Sequence, residues 1–173
     1  GMNILELGCG DGALWTQNLS KLPGNIHITL SDISEGMLRD ARRAIGGEDP
    51  RFSFKAFDCH TIPPRIGTFD LVIANHVLFY CDDIGKVCKN VTKILKPGGR
   101  FLCSPSGSRH MREVSLLVQS FDERIALSAD KLYERFGREN GTDILSPYFQ
   151  KITWKSYEDE LIVTDAEPLI SYI

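Results

Sequence analysis

The chain has 173 residues, of which 42% are hydrophobic and 25% are charged, an ordinary composition for one globular domain and not for a disordered chain or a coiled coil. The formal net charge of −3 lacks the basic excess of proteins that bind nucleic acid or anionic membranes. No apolar run reaches the ~18–20 residues that span a bilayer, and no signal peptide is evident. We therefore expect a single cytoplasmic domain over 2–173, with Gly1 as a remnant of cloning.

The five cysteines are odd in number and include no C-x-x-C pair, which favours reduced thiols over a disulfide framework. The histidines lack the spacing of a zinc finger, so we predict no metal site. The four histidines are His27, His60, His76 and His110.

Short β-rich apolar segments alternate with longer segments of helical periodicity. Five strands are predicted, at 2–7, 26–31, 51–57, 69–74 and 101–104. Helices are predicted at 13–22, after Ser34 as N-cap, at 84–95, within 107–149 and at 165–172. Two further strands, 152–157 and 160–164, are predicted to form a hairpin through Glu158 and Asp159.

This order of elements predicts an α/β fold: a Rossmann-like, doubly wound, mostly parallel seven-stranded sheet with a C-terminal antiparallel hairpin. The segment 107–149 is predicted to be a helical insert after the fifth strand. Its apolar stripes, which include Leu117, Phe121 and Phe136, are expected to pack on the core or on each other.

A glycine loop, Gly8-Cys9-Gly10-Asp11-Gly12, joins the first strand to a helix. Glycines allow the chain to turn tightly and a ligand to approach the backbone closely. Asp32 stands 20 positions after Gly12, at the end of the second strand, where a carboxylate accepts hydrogen bonds from ribose hydroxyls. The pattern predicts a ligand that contains adenosine.

The charges of the loop discriminate between adenosine ligands. Nicotinamide and flavin dinucleotides place a pyrophosphate at the helix N-terminus, where Glu6 and Asp11 would repel it. S-adenosylmethionine has no phosphate and carries a sulfonium and an ammonium, so an acidic loop suits it. The spacing G-x-G-x-G also departs from the dinucleotide pattern G-x-G-x-x-G.

The sequence resembles the class I S-adenosylmethionine-dependent methyltransferases, in particular the small-molecule type 11/12 group. The resemblance covers roughly 3–104. It rests on five motifs: Glu6-Leu-Gly-Cys-Gly-Asp-Gly12, Leu30-Ser-Asp-Ile-Ser34, Phe57-Asp-Cys59, Phe69-Asp-Leu-Val-Ile-Ala-Asn-His76 and Leu95-Lys-Pro-Gly-Gly-Arg-Phe101.

The resemblance implies a role for each matched residue. The loop would cradle the methionine half of the cofactor, with Glu6 orienting the loop or the ammonium. Asp32 would hold the ribose, Ile33 and Met37 would flank the adenine, and Asp58 and Cys59 would bind its edge. Asn75 would face the methyl group, and His76 and Tyr80 are the candidate catalytic residues. The residues of the predicted cofactor site are Glu6, Gly8, Cys9, Gly10, Gly12, Asp32, Ile33, Met37, Asp58, Cys59 and Asn75.

Simpler interpretations of these residues stay open. Glu6 is also consistent with a cap and Asp32 with a turn acid. Cys59 is more typical of a small buried apolar residue than of a nucleophile. His76 fits a pocket histidine as well as a general base, and the Leu78-Phe79-Tyr80 cluster fits a wall better than an aromatic cage.

The expected activity is methyl transfer from S-adenosylmethionine to a small-molecule acceptor, with S-adenosylhomocysteine as product. Asn75-His-Val-Leu78 lacks the Asn-Pro-Pro-Tyr pattern of enzymes that methylate base or glutamine amino groups, so no nucleic-acid partner is expected. No membrane partner is expected, and a homodimer stays open.

Two rival functions remain. Relatives often carry lid helices before the first strand, whereas here only Met2 and Asn3 precede its apolar residues, so the insert 107–149 is the candidate lid. A non-catalytic S-adenosylmethionine-binding subunit, or an incomplete enzyme without its N-terminal lid, is therefore the alternative. A nicotinamide-dependent oxidoreductase is disfavoured by the acidic loop.

Overall fold

The computed structural model describes residues 1–125, 132–157, 160 and 162–172. Its centre is a five-stranded parallel sheet in the order β3-β2-β1-β4-β5. The strands are β1 Met2–Leu7, β2 Ile26–Asp32, β3 Phe52–Ala56, β4 Phe69–Asn75 and β5 Leu95–Ser104. The parallel α/β architecture predicted from the alternation of elements is confirmed.

Seven helices are described in the same residues. They are α1 Ala13–Thr16, α2 Glu35–Ile45, α3 Ile84–Ile94, α4 Arg112–Phe121, α5 Leu132–Arg135, α6 Gly141–Leu145 and α7 Ala166–Tyr172. None of these described helices has the length and apolar character needed to cross a bilayer.

The two long helices between strands begin and end at residues that the sequence marks. The Ser34 side chain accepts a hydrogen bond from the Met37 amide, as predicted for the N-cap of α2, and Gly46 ends this helix in the left-handed conformation. The Asp83 side chain caps α3 in the same way by accepting from the Lys86 amide. These side-chain caps therefore fix the residues at which α2 and α3 begin.

Two apolar cores cover the two faces of the sheet. Alternate residues of β1 point to opposite faces: Ile4 packs into one core, and Leu5 and Leu7 pack into the other. The first core is completed by Leu38, Ala41 and Ile45 of α2, together with Trp15. The second core is completed by Val87, Cys88 and Val91 of α3, together with Phe136 and Leu145. The sheet is thus covered on both faces, as in a doubly wound fold.

Two boundaries differ from the prediction. The helix predicted over 13–22 is the four-residue α1 followed by a 3-10 turn at Leu19–Lys21. Strand β5 begins at Leu95 and not at Phe101, because Phe69 pairs with Leu95 before an irregularity in the ladder. The Pro-Gly-Gly segment therefore lies inside a distorted strand and does not simply end a helix.

The predicted C-terminal hairpin is not shown. Residues 152–157 and 162–164 have no strand structure, and Glu158, Asp159 and Leu161 lie outside the described residues. The Trp154 indole N–H donates to the Thr142 hydroxyl at 2.7 Å, and Ile152 packs against the second core. This segment therefore packs beside α6 and adds no strand to β5, so five of the seven predicted strands are described.

The helices after β5 only partly follow the expected packing. Phe136 is fully buried, as predicted, and Leu145 of α6 joins it in the core. The stripe on α4 is different, because Leu117 is 58% exposed and Phe121 is 90% exposed. The expectation that this stripe packs on the core does not hold for Leu117 and Phe121, whereas Val114 and Val118 of the same stripe are half-buried. No described strand follows these helices, so their position as an insert between strands is not shown.

Candidate functional site

The glycine loop lies at the carboxyl end of β1, the strand flanked by β2 on one side and by β4 on the other. The chain leaves β1 for β2 on one side and later returns to the other side of β1 as β4. Ligands of open α/β sheets bind at such a switch point, at the carboxyl ends of the strands. The fold thus places the loop where a ligand site is expected.

The loop glycines are constrained in different ways. Gly8 and Gly10 have φ angles of 65° and 55°, which side chains rarely adopt. A Cβ on Gly8 would lie 2.4 Å from a methyl group of Val77, which would have to move, and one on Gly12 would make a tight contact of 3.1 Å with Ala41. A Cβ on Gly10 would meet no protein atom within 4 Å. Gly10 therefore faces open space, as the cradle of a ligand requires.

Asp32 connects the end of β2 to the loop. One carboxylate oxygen accepts from the Gly10 amide at 3.0 Å, and the other accepts from the Ser34 amide at 2.8 Å. Next to it, Ile33 is 74% exposed and Met37 is 46% exposed, so two apolar side chains face solvent beside the loop. This exposed apolar surface suits a flat aromatic ring, and each Asp32 oxygen keeps a lone pair for a further donor.

Glu6 lies beneath the loop, almost fully buried at 3% exposure. Burial raises the pKa of its carboxyl to about 7, a hydrogen bond from the Trp15 indole N–H opposes this rise, and the negative charge of Asp32 adds to it. The Glu6 carboxylate accepts from an indole N–H and not from a backbone amide at the start of a helix, so the structure gives no support to a capping role for Glu6. This bond was missed in the sequence, since no local pattern pairs residues nine apart.

The other loop residues have local roles. Cys9 is buried, and its amide donates to the Ser31 carbonyl at 2.9 Å, which ties the loop to β2. The exposed Asp11 carboxylate accepts from the Ala13 amide at 3.1 Å, at the start of α1. Three carboxyl groups, those of Glu6, Asp11 and Asp32, thus surround the loop and favour a cationic ligand over an anionic one.

The turn after β3 is organised by Asp58. Its carboxylate accepts from the His60 amide at 2.8 Å and pairs with His60 Nδ1 at 2.6 Å, and these bonds lower the pKa of Asp58. The His60 carbonyl accepts from the Asn90 side chain at 3.0 Å, which joins the turn to α3. His60 was missed as a site residue, although an aspartate two residues before a histidine is a recognisable turn pattern.

The ligand atoms of Asp58, Cys59 and His60 lie within 4.8 Å of one another, a spacing compatible with a metal ion. The direct bond between Asp58 and His60 already accounts for this closeness. The Cys59 sulfur instead contacts the Cys81 sulfur at 3.4 Å. We therefore assign no metal to this group.

The end of β4 carries the candidate catalytic residues. His76 has a φ of 52°, and its amide donates to the Ser104 hydroxyl at 3.0 Å. That hydroxyl lies 3.4 Å from the Asn75 side-chain oxygen, so Ser104, which the sequence reasoning missed, holds both residues from β5. A rare backbone conformation, supported by neighbours, is typical of functional positions.

The rings of His76 and Tyr80 both lie near the ring of Phe79. The ring of Phe79 is 6.1 Å from that of His76 and 4.8 Å from that of Tyr80, measured between centroids. Leu78 and Phe79 are buried, whereas Tyr80 is 65% exposed. The first two residues of this cluster are thus core, whereas both candidate catalytic residues, His76 and Tyr80, face solvent.

Residues 4–99 match the family described as methyltransferase domain, and the chain belongs to this family. Among curated proteins, it is 30% identical over 159 residues to trichosetin synthetase PKS-NRPS1 of Gibberella fujikuroi, covering 89% of this chain and 4% of the synthetase. It is 29% identical over 126 residues to malonyl-[acyl-carrier protein] O-methyltransferase 1 of Ilyobacter polytropus, covering 73% of this chain and 46% of that enzyme.

Among solved structures, an S-adenosylmethionine-dependent methyltransferase from Mesorhizobium loti superposes with a TM-score of 0.55 at 29% identity. The match covers 64% of this chain and 50% of that structure. The chain thus spans less than half the length of the two curated relatives. The family assignment agrees with the sequence resemblance.

Proposed function

We propose that the chain binds S-adenosylmethionine at the glycine loop and transfers its methyl group to a small-molecule acceptor, releasing S-adenosylhomocysteine. One observation carries the proposal: Gly10, whose amide donates to Asp32, faces open space at the switch point of the sheet. The chain that forms this site belongs to the methyltransferase-domain family.

The charges of the loop support this ligand. Burial raises the pKa of Glu6 to about 7, and the neighbouring negative charge of Asp32 adds to this rise. A ligand ammonium near Glu6 and Asp32 would favour the ionised carboxylates. A pyrophosphate there would add charge of the same sign, which disfavours the nicotinamide alternative.

The remaining contacts extend from Asp32 along the strand ends. Asp32 is positioned to accept from ribose hydroxyls, Ile33 and Met37 offer an apolar surface to adenine, and the Asp58–Cys59 turn would meet its edge. These assignments rest on the positions of the residues and on the family.

When bound, S-adenosylmethionine supplies a methyl group on a positively charged sulfur, which is already reactive toward nucleophiles. The chain's own residues then have to orient the acceptor and exclude water. Orientation supplies ~7–11 kcal/mol in favourable cases. We assign this task to Asn75, His76 and Tyr80, with His76 accepting a proton where the acceptor is a hydroxyl or a protonated amine.

The helices in 107–149 are the candidate wall on the acceptor side. The apolar side chains of α4 that lack a described cover, such as Phe121, are available to contact an acceptor or a closing segment. The non-catalytic alternative predicts cofactor binding without turnover, and the family assignment does not favour it.

The names of the curated relatives suggest where an acceptor search starts. One is named for malonyl-[acyl-carrier protein] and the other as a PKS-NRPS synthetase, so acyl groups on carriers or small thioesters are the first candidates. We propose no nucleic-acid or membrane partner and a cytoplasmic location.

The test is transfer of labelled methyl groups from S-adenosylmethionine to a panel of acyl thioesters and other metabolites. Once an acceptor is found, His76→Ala is expected to lower kcat about 10²–10⁴-fold where a base is needed. His27→Ala is the matched control, because His27 is also exposed but lies near the amino end of β2. Binding of S-adenosylhomocysteine with no labelled product from any acceptor would favour the non-catalytic alternative.

A further inference from the structure

Two cysteine sulfurs from separate loops are in contact. Cys59 begins the 3-10 turn Cys59–Thr61 after β3, and Cys81 ends the turn Leu78–Tyr80 after β4. Their Sγ atoms are 3.4 Å apart, and the candidate methyl-transfer chemistry uses neither thiol as a nucleophile. All five cysteines are free thiols in the structure.

Both loops are held in place by hydrogen bonds. The Asn90 side chain donates to the His60 carbonyl at 3.0 Å, and the Cys81 amide donates to the Leu78 carbonyl at 3.0 Å. A disulfide has an S–S length of about 2.05 Å, so the two sulfurs, which are 3.4 Å apart, have to move closer for the bond to form. Cys81 is buried and Cys59 is half-buried, so Cys59 is the member that faces the exterior.

We propose that Cys59 and Cys81 form a site of reversible oxidation, at which a peroxide converts the two thiols into a disulfide. The bond would join the turn that follows Asp58 to the loop that carries Tyr80. Oxidation would thus cross-link two walls of the candidate site.

The electrostatics of the pair define the order of events. The hydrogen bond with Cys59 lowers the pKa of Cys81, whereas the same bond, together with burial, raises the pKa of Cys59. Cys81 is therefore the thiol of the pair that ionises more readily, and a thiolate is the form that attacks peroxide.

The reaction balances with a peroxide as the only oxidant. The Cys81 thiolate attacks one oxygen of hydrogen peroxide, an S–O bond forms, the O–O bond breaks and hydroxide leaves. That hydroxide takes the proton of Cys59 and becomes water. The Cys59 thiolate then attacks the Cys81 sulfenic sulfur, the S–S bond forms, and the oxygen leaves as a second hydroxide, which is protonated to water.

The test is mass spectrometry of the folded chain after exposure to hydrogen peroxide and alkylation of the remaining thiols. After alkylation in denaturant, the oxidised chain is expected to carry two fewer alkyl groups than the unoxidised chain, and before alkylation it is lighter by about 2 Da. Dithiothreitol followed by a second alkylation is expected to restore the mass of the fully alkylated chain. Trypsin separates the cysteines, since Cys59 falls in peptide 56–65, Cys81 in 66–86 and Cys88 in 87–89. The cross-link is expected between the first two peptides.

Three variants distinguish this site from general oxidation. Cys59→Ser and Cys81→Ser are each expected to abolish the loss of mass, and Cys103→Ser, at a half-buried cysteine on β5, is expected to retain it. Circular dichroism confirms that each variant is folded, and Cys59→Ala replaces Cys59→Ser if that variant is not. A cross-link through Cys88 or Cys103, or added oxygen on Cys59 or Cys81 with no cross-link, would overturn the proposal. No outcome depends on methyl transfer, so it stands or fails separately from the proposed function.

Discussion

The Asp32 carboxylate accepts a hydrogen bond from the Gly10 amide at 3.0 Å, and this bond joins the end of β2 to the middle of the glycine loop. The same side chain accepts from the Ser34 amide at 2.8 Å, just before α2. Asp32 thus both shapes the loop and presents negative charge to its ligand. Its loss should therefore weaken ligand binding.

Asp32→Ala is expected to weaken S-adenosylhomocysteine binding by ~1.5–3 kcal/mol, the scale of hydrogen bonds to a charged group. Calorimetric titration measures the loss. Asp40→Ala removes an exposed carboxylate of α2 and serves as the control, with an unchanged Kd. Equal affinity of Asp32→Ala and the wild-type chain, with the circular dichroism unchanged, would exclude Asp32 from the site.

Gly10→Val is expected to abolish cofactor binding and to leave the fold largely intact, because the new side chain would occupy the open space beside the loop. Gly47→Val is the matched control, since Gly47 has a φ of 66° and a Cβ placed on it would also meet no protein atom within 4 Å. Both variants have comparable backbone strain. Thermal stabilisation by S-adenosylhomocysteine should persist in Gly47→Val only, and its persistence in Gly10→Val would contradict the assignment.

The raised pKa of Glu6, about 7 against an ordinary value of 4.5, links folding to pH. Between these two pH values the folded chain holds more protons than the unfolded chain. The contribution of Glu6 to the free energy of unfolding therefore falls as the pH rises through this window. The shift corresponds to about 3 kcal/mol at most.

Glu6→Gln removes this titration and keeps an acceptor for Trp15. Relative to the wild-type chain, its free energy of unfolding should rise between pH 5 and pH 8 in urea titrations. Glu35→Gln, at an exposed glutamate in the first turn of α2, is the control and should follow the wild-type profile. Parallel pH profiles for Glu6→Gln and the wild-type chain would show that Glu6 ionises normally.

The helices after β5 are expected to gain protection from hydrogen exchange when S-adenosylhomocysteine and an acceptor bind together. The reason is the uncovered apolar side of α4, where Leu117 and Phe121 are exposed. Exchange of peptides within 107–121 and 132–136 measures this effect. Changes confined to the glycine loop and Asp32 would show that these helices are scaffold and not a lid.

Local chemistry made much of the fold predictable. The strand limits of β1 and the cap at Ser34 depend on neighbouring residues, and the structure agrees with them. The site was predictable to the extent that the first strand leads directly into the glycine loop and that an acid, Asp32, stands 20 positions after Gly12 at the end of the second strand. The structure brings Asp32 onto Gly10, as that pattern requires.

Contacts between distant residues were not predictable. The bond of Trp15 to Glu6, the support of His76 by Ser104 and the sulfur contact of Cys59 with Cys81 all depend on tertiary packing. The predicted hairpin, which the structure does not show, is a further case, since residues 152–157 have strand-like composition but pack beside α6 through Trp154.

Calorimetric titration of the chain with S-adenosylmethionine, S-adenosylhomocysteine and NAD tests the central claim most directly. The account predicts saturable one-to-one binding of the first two ligands, lost in Gly10→Val, and no heat with NAD. Binding of NAD, or no binding of either sulfur ligand to the folded chain, would contradict it.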